Sequence, residues 1–273
     1  MGGDETELKP ERWQIALDGV ELSVAALARA GRRAPVVTLH GFGSTKEDYA
    51  DFARQEAFAG RGFLAYDAPG CGESHCADLA AVSVPFLVRT AELVLRRAGI
   101  DRFHLVGHSM GGLTALLLAH RNPGRVLSFV DIEGNLAPED CFLSRQVVHH
   151  SGADAEKFLD AFADRVGRAP TSSSALFAAG VRHKVRAGAV RGIFESMVEL
   201  SDHGDLMDRF LSLPFPRMFL YGQENASLSY LQHLETNGVQ LAEIPSSGHW
   251  PMYANPVAMW ERIAGFVDRA DQA

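Results

Sequence analysis

Gly107-His-Ser-Met-Gly111 places one hydroxyl, that of Ser109, between two glycines, the G-x-S-x-G pattern of a nucleophile elbow. The pattern is short and recurs by chance, so its flanks decide. Phe103 to Val106 has the length and residue types of a strand. Leu113 to His120 is a Leu/Ala-rich helical run ended by Asn122-Pro-Gly124. A serine hydroxyl is a weak nucleophile until a base takes its proton and an acid steadies that base. Among eleven histidines, His249 suits best, because Ser246-Ser-Gly-His-Trp-Pro251 is a polar loop between the last strand and the last helix. His104 falls inside a strand, His120 ends a helix, and His108 should point away from its neighbour's hydroxyl.

For the acid, Glu133 leaves the carboxyl end of the strand that follows the elbow helix, the end where open parallel sheets carry their ligands. Asp131, deeper in that strand, and Glu224, after a later strand, are the alternatives. With Glu133 the chain order is nucleophile Ser109, acid Glu133, base His249. A developing oxyanion needs two backbone N–H donors. Met110, at the start of the elbow helix, should supply one, and Phe42, in His40-Gly-Phe-Gly43, the other. His40 reads as a structural hydrogen bonder in that loop.

The elements that must hold these groups follow from period and punctuation. Trp13 to Leu17 and Val20 to Ala28 flank Asp18-Gly19, a hairpin at the sheet edge. Pro35 to Leu39 is a strand apolar enough to be covered on both faces. Asp48 to Phe58 reads as a helix with Tyr49, Phe52 and Ala53 on one face, and Phe63 to Asp67 as the next strand. Ser83 caps a helix that reaches Arg97 and ends at Gly99. Val126 to Ile132 completes an alternating strand and helix series, which implies a parallel sheet. From Leu136 to Leu213 only helical patterns occur, the clearest being Val190/Ile193/Phe194/Met197/Leu200. The expected organisation is therefore a core of residues 1–135 and 214–273 interrupted by a helical cap at 136–213. Arg217 to Tyr221 resumes the sheet, Ala226 to Asn237 reads as helix, and Val239 to Ile244 as the last strand. A closing helix from Pro256 should face the core with Val257, Trp260, Ile263 and Val267.

The chain has 273 residues, 47% hydrophobic and 22% charged, enough for one large α/β domain with an insertion. Its formal net charge of −8 disfavours nucleic acid and anionic membranes as partners. Three cysteines, Cys71, Cys76 and Cys141, are no disulfide framework, and the acidic start is no secretory signal, so a cytoplasmic location is expected. Cys71, His75 and Cys76 lack a fourth ligand at suitable spacing, and no metal or cofactor is expected. His149-His150 would either line the substrate entrance or end a solvated helix.

Four motifs in order, His40-Gly-Phe-Gly43, Asp67-x-Pro-Gly-x-Gly-x-Ser74, Gly107-His-Ser-Met-Gly-Gly112 and Gly248-His-Trp-Pro251, resemble those of the α/β-hydrolase superfamily. The resemblance implies the α/β-hydrolase fold, a mostly parallel twisted sheet with helices on both faces and an all-helical cap. In that superfamily the acid generally follows the strand placed here at Arg217 to Tyr221, but Asn225 stands there. The chain is in this respect similar to the haloalkane dehalogenases and zearalenone lactonases, whose acid follows the earlier strand. Ser109 in place of an aspartate nucleophile argues against dehalogenase or epoxide hydrolase chemistry. What is implied is a cofactor-independent hydrolase cleaving an ester, thioester or lactone of an apolar small molecule, as a monomer or homodimer. C–C bond hydrolysis, acyl transfer and, more remotely, cofactor-free oxygenation are alternatives, as is a small-molecule sensor that retains the triad. With Glu133 as acid, Asn225→Asp alone should do little.

Overall fold

The computed structural model describes residues 7–141, 144–145 and 154–272; His149 and His150 lie outside them. Strands β1 (Lys9–Leu17), β2 (Val20–Arg29), β3 (Arg33–Leu39), β4 (Arg61–Tyr66), β6 (Phe103–His108), β7 (Val126–Ile132), β8 (Arg217–Gly222) and β9 (Gln240–Ile244) follow the order β1-β2-β4-β3-β6-β7-β8-β9 in one sheet. The two-residue β5 (His75–Cys76) adds to β2. The β1–β2 hairpin is antiparallel and pairs β2 antiparallel to β4, and every pair from β4 to β9 is parallel. At the hairpin turn both Asp18 and Gly19 have positive φ, 52° and 83°, the backbone that a two-residue turn of this type demands.

Alternation within the parallel strands divides the interior in two. Leu64, Leu105, Phe129 and Phe219 face one side, with α1 (Val84–Arg97) and α2 (Met110–Arg121). Phe63, Val106, Val130 and Leu220 face the other, where Tyr49, Phe52 and Trp260 pack. Each strand thus buries both faces, as a two-residue side-chain period under two helical layers requires. Ser83 caps α1 by accepting from the Phe86 N–H, and Gly99 follows it with φ of 68°.

Between β7 and β8 the described regular elements are helical: a 3-10 turn (Pro138–Cys141), α3 (Ala155–Gly167), α4 (Ser172–Lys184), α5 (Ala187–His203) and α6 (Leu206–Leu211). After β8 come α7 (Leu231–Thr236), α8 (Pro251–Ala254) and α9 (Pro256–Ala270). Thr171 caps α4, and Asn255 caps α9.

Four expectations are corrected. Residues 48–58 are not an α-helix but 3-10 runs, Lys46–Arg54 and Glu56–Phe58; a three-residue repeat puts Tyr49 and Phe52, both buried, on one face and leaves Ala53 half-buried. Helix in 226–237 is confined to α7, because Ser229 and Tyr230 are engaged by tertiary hydrogen bonds to Glu139 and Asp140. β1 starts at Lys9, before Trp13. Val257 is 60% exposed, since at about 100° per residue it lies well off the stripe of Trp260, Ile263 and Val267, all buried.

Candidate active site

Strand β6 ends against α2 with no room for a loop, and Ser109 occupies the junction at φ 52° and ψ −120°. A positive φ on a serine is strained by roughly 1–3 kcal/mol and persists only where the surroundings over-determine it. Here they do. The Ser109 N–H donates to the Ile132 carbonyl at 3.0 Å, and its own carbonyl takes the Leu113 N–H at 3.0 Å. The flanking glycines are required by contact: a Cβ on Gly107 would lie 2.5 Å from the Gly111 carbonyl oxygen, and one on Gly111 only 2.2 Å from that of Leu39. Met110 is the first residue of α2, where backbone N–H groups lack intrahelical partners.

Glu133, immediately after β7, also has a positive φ, 45°, and its N–H donates to the Leu220 carbonyl. That backbone turns its carboxylate toward the end of β8. Oε2 accepts from His249 Nδ1 at 2.7 Å, and Oε1 accepts from the Gly222 N–H at 2.8 Å. The Asn225 amide donates to both oxygens, at 2.9 and 2.8 Å. Burial pushes the Glu133 carboxyl up, but the His249 hydrogen bond and charge, with the Asn225 and Gly222 donors, more than compensate and hold it below the usual range. The Glu133 side chain is 6% exposed and that of His249 33%, so the pair opens to solvent on the imidazole side.

The other acids are placed differently. Asp131 is fully buried and accepts from the Gly134 N–H, and its burial raises its pKa well above the carboxylate range. Glu224 is exposed, with its carboxylate against Gly248. Asn225, read from sequence only as a missing acid, is the carboxylate's partner. The amide at that position was the signal, but its role needed the geometry.

His104, His40 and His108 have structural partners. His104 bonds Ser128 Oγ and Asp271. His40 donates from Nδ1 to the Gly41 carbonyl and accepts the Ala68 N–H at Nε2. His108 donates from Nε2 to the His249 carbonyl at 2.8 Å, tying the residue before Ser109 to the backbone of the imidazole opposite. Burial first, then the charge of His249, lowers the His108 pKa to about 3. Unfolded, it would take a proton near pH 6.5, so its contribution to stability is complete above about 6.5 and lost as pH falls toward about 3, at ~1.4 kcal/mol per pH unit. His108→Gln keeps a donor without a titration. The wild-type-minus-variant difference in unfolding free energy, from urea titrations, should therefore fall through that window and stay flat above pH 7; a flat difference throughout would contradict a buried neutral His108.

Asp67 accounts for the second motif. Its buried carboxylate accepts from the Lys46 and Glu73 backbone N–H groups, both at 2.9 Å, and from Lys46 Nζ at 2.8 Å. Ser74 Oγ donates to the Asp67 carbonyl. Cys71, Cys76 and Cys141 are buried free thiols, Cys71 pushed up to about 12 by burial. No cluster suited to a metal ion occurs among the described residues.

Ser109, Glu133 and His249 line one cavity of about 260 Å³, at the carboxyl ends of the parallel strands. One wall is aromatic and apolar: Phe42, Phe162, Phe177, Phe194, Met197 and Trp250. Phe42 packs on Phe194 with centroids 4.5 Å apart, and Phe177 stacks on Trp250 at 4.6 Å, so residues from α3, α4 and α5 roof the cavity. Asn135, Glu139, Asp140, Ser144 and Tyr230 form the polar side. The volume lies just under the roughly 300–1,000 Å³ common for ligand pockets.

Known proteins share the fold and part of the sequence. A sequence profile described as "Alpha/beta hydrolase family" matches residues 36–262. A 2-hydroxy-6-oxononadienedioate/2-hydroxy-6-oxononatrienedioate hydrolase of Paraburkholderia phymatum is 34% identical over 133 residues, 47% of this chain and 46% of that protein. The alignment thus spans about half the length of that relative. The mouse sn-1-specific diacylglycerol lipase ABHD11 is 25% identical over 85% of this chain and 80% of its own. Among solved structures, the N-acyl homoserine lactonase AidH superposes with a TM-score of 0.73 at 18% identity, covering 97% of this chain and 98% of its own, a likeness of fold. With the matched region spanning most of its length and the sheet order and elbow in place, this chain belongs to the alpha/beta hydrolase family.

Proposed function

We propose that the protein is a cofactor-independent serine hydrolase that cleaves an ester, thioester or lactone of a small, largely uncharged molecule. The observation that carries this reading is the 2.7 Å hydrogen bond from His249 to the buried Glu133 carboxylate, in a cavity shared with Ser109 on its strained turn. Ser109 Oγ attacks the carbonyl carbon while His249 Nε2 takes its proton. Glu133 stabilises the imidazolium, and the amides of Phe42 and Met110 receive the oxyanion. The leaving group departs with the proton from His249, and water, deprotonated by the same imidazole, releases the acid and restores Ser109.

The helices of 136–213 act as the lid in this reading. Phe162, Phe177 and Phe194 exclude water from the acyl chain, which strengthens the electrostatics beneath them. Three buried free thiols fit a reducing cytoplasmic compartment, and no helix among the described residues is long and apolar enough to cross a membrane.

Charge separates this reading from C–C hydrolysis of a dianionic substrate such as the one named for the Paraburkholderia relative. Among the described lining residues there is no Lys or Arg, and Glu133, Glu139 and Asp140 are acids. A second carboxylate on the substrate would be desolvated there without a cation, a net cost of several kcal/mol. kcat/KM for a neutral butyrate ester should therefore exceed that for the matching succinate half-ester by about 100-fold or more, the factor that ~2.7 kcal/mol represents. Equal values, or faster cleavage of a dienedioate, would move the assignment to C–C hydrolysis.

A further inference from the structure

Ser44, Lys184 and Tyr253 come from three separate parts of the chain and meet on one carboxylate, Asp48. Lys184 Nζ lies 3.0 and 3.1 Å from its two oxygens, and Tyr253 OH donates to Oδ2 at 2.7 Å. Ser44 Oγ donates to the same oxygen, as does the Thr45 N–H at 3.0 Å. Lys184 Nζ also donates to Tyr253 OH at 3.1 Å, so Lys184, Tyr253 and Asp48 close a hydrogen-bonded ring. The Asp48 side chain is only 10% exposed. Burial alone would raise its pKa; Ser44, Lys184, Tyr253 and Thr45 reverse that and keep it ionised.

Each partner leads to a different part of the candidate site. Ser44 closes the loop around Phe42, its N–H donating to the Gly41 carbonyl at 3.1 Å. Tyr253 is in α8, one turn beyond His249, with its N–H on the Trp250 carbonyl. Lys184 ends α4, whose Phe177 leaves no space for a Cβ on Gly43 and stacks on Trp250. The chain at Lys184 is itself pinned to the core. Its carbonyl accepts the Gly72 N–H at 2.7 Å, Val185 bridges Cys71, and the Arg186 N–H donates to the Gly70 carbonyl at 2.8 Å.

We propose that Asp48 is a positioning residue that fixes the Phe42 loop and the His249 segment relative to one another, through Ser44 and Tyr253, with Lys184 as its counter-charge from the helical insertion. The inference rests on the serine-hydrolase reading. Its physical basis is that an oxyanion donor must meet a position set by the nucleophile and base within a few tenths of an ångström, and a loop bounded by Gly41 and Gly43 cannot hold that place unaided. A staple that merely stabilised the fold would affect unfolding and leave recognition of the tetrahedral state unchanged.

The test compares Asp48→Asn, Tyr253→Phe and Ser44→Ala with the wild type on p-nitrophenyl butyrate, alongside inhibition by phenylboronic acid, which forms a tetrahedral adduct on an active-site serine. For Asp48→Asn, kcat/KM should fall and the phenylboronate Ki rise by the same factor, about tenfold or more, with KM within about twofold. Tyr253→Phe and Ser44→Ala should show smaller losses in the same proportion. Unchanged kcat and Ki with only a lowered melting temperature would overturn the proposal. If Asp48→Asn does not fold, the two hydroxyl deletions decide it, and full activity in both overturns it. Fluorophosphonate labelling is run on every protein. A wild type that neither labels nor turns over defeats the hydrolase reading and this inference with it, whereas normal labelling without the parallel loss defeats this inference alone.

Discussion

Ser109→Ala should abolish fluorophosphonate labelling and lower kcat on a simple ester by roughly 10⁶-fold, the scale of loss when the serine of a working triad is removed. The hydroxyl sits at a helix start and lines the same cavity as the hydrogen-bonded Glu133–His249 pair. Alanine keeps the φ of 52° with its strain, so the melting temperature should stay near that of the wild type. Ser109→Gly should be equally inactive yet no less stable, because glycine adopts a positive φ without the steric cost. Labelling that persists on another serine would reject Ser109 as the nucleophile.

Glu133→Gln carries the second large effect, a fall in turnover on the order of 10⁴-fold with labelling slowed in proportion. The carboxylate now accepts from His249, Asn225 and Gly222 and offers no donor. An amide in the same place must turn its NH₂ group toward one of these N–H donors, so either the imidazole loses its tautomer or the Gly222 N–H loses its acceptor. Near-normal turnover in Glu133→Gln with loss in Glu224→Gln would place the acid after β8. The geometry also reverses the expectation that Asn225→Asp alone is harmless. That change removes a donor nitrogen 2.9 and 2.8 Å from the two Glu133 oxygens and substitutes a second carboxylate, which should cost about 10–100-fold in kcat, the worth of a hydrogen bond to a buried charge plus like-charge repulsion.

Much of this molecule was legible in the chain because the signals are local. The strand and helix alternation, the Asp18-Gly19 hairpin, the Ser83 cap and the G-x-S-x-G turn each depend on residues a few positions apart. Hydrophobic period alone distinguished the doubly covered strands from the amphipathic helix at Ala187–His203. The position of Glu133 at a strand's carboxyl end was also legible, since it follows from that alternation.

Tertiary structure decided what depends on contacts between distant residues. Asn225 looked like a missing acid and is the amide that holds the Glu133 carboxylate, 92 residues away in sequence. His108 looked idle and bonds the backbone of the imidazole, while Asp48 draws together side chains from Ser44, Lys184 and Tyr253. The 3-10 run at Lys46–Arg54 and the shortened helix at Leu231–Thr236 have the same cause. Local propensities differ by a few tenths of a kcal/mol per residue, and side-chain hydrogen bonds to carboxylates, worth about 1.5–3 kcal/mol each where the acid is shielded from water, outweigh them. The shape of the cavity belongs to this second class, because Phe162, Phe177 and Phe194 lie on three helices whose approach to Ser109 no single stretch of sequence specifies.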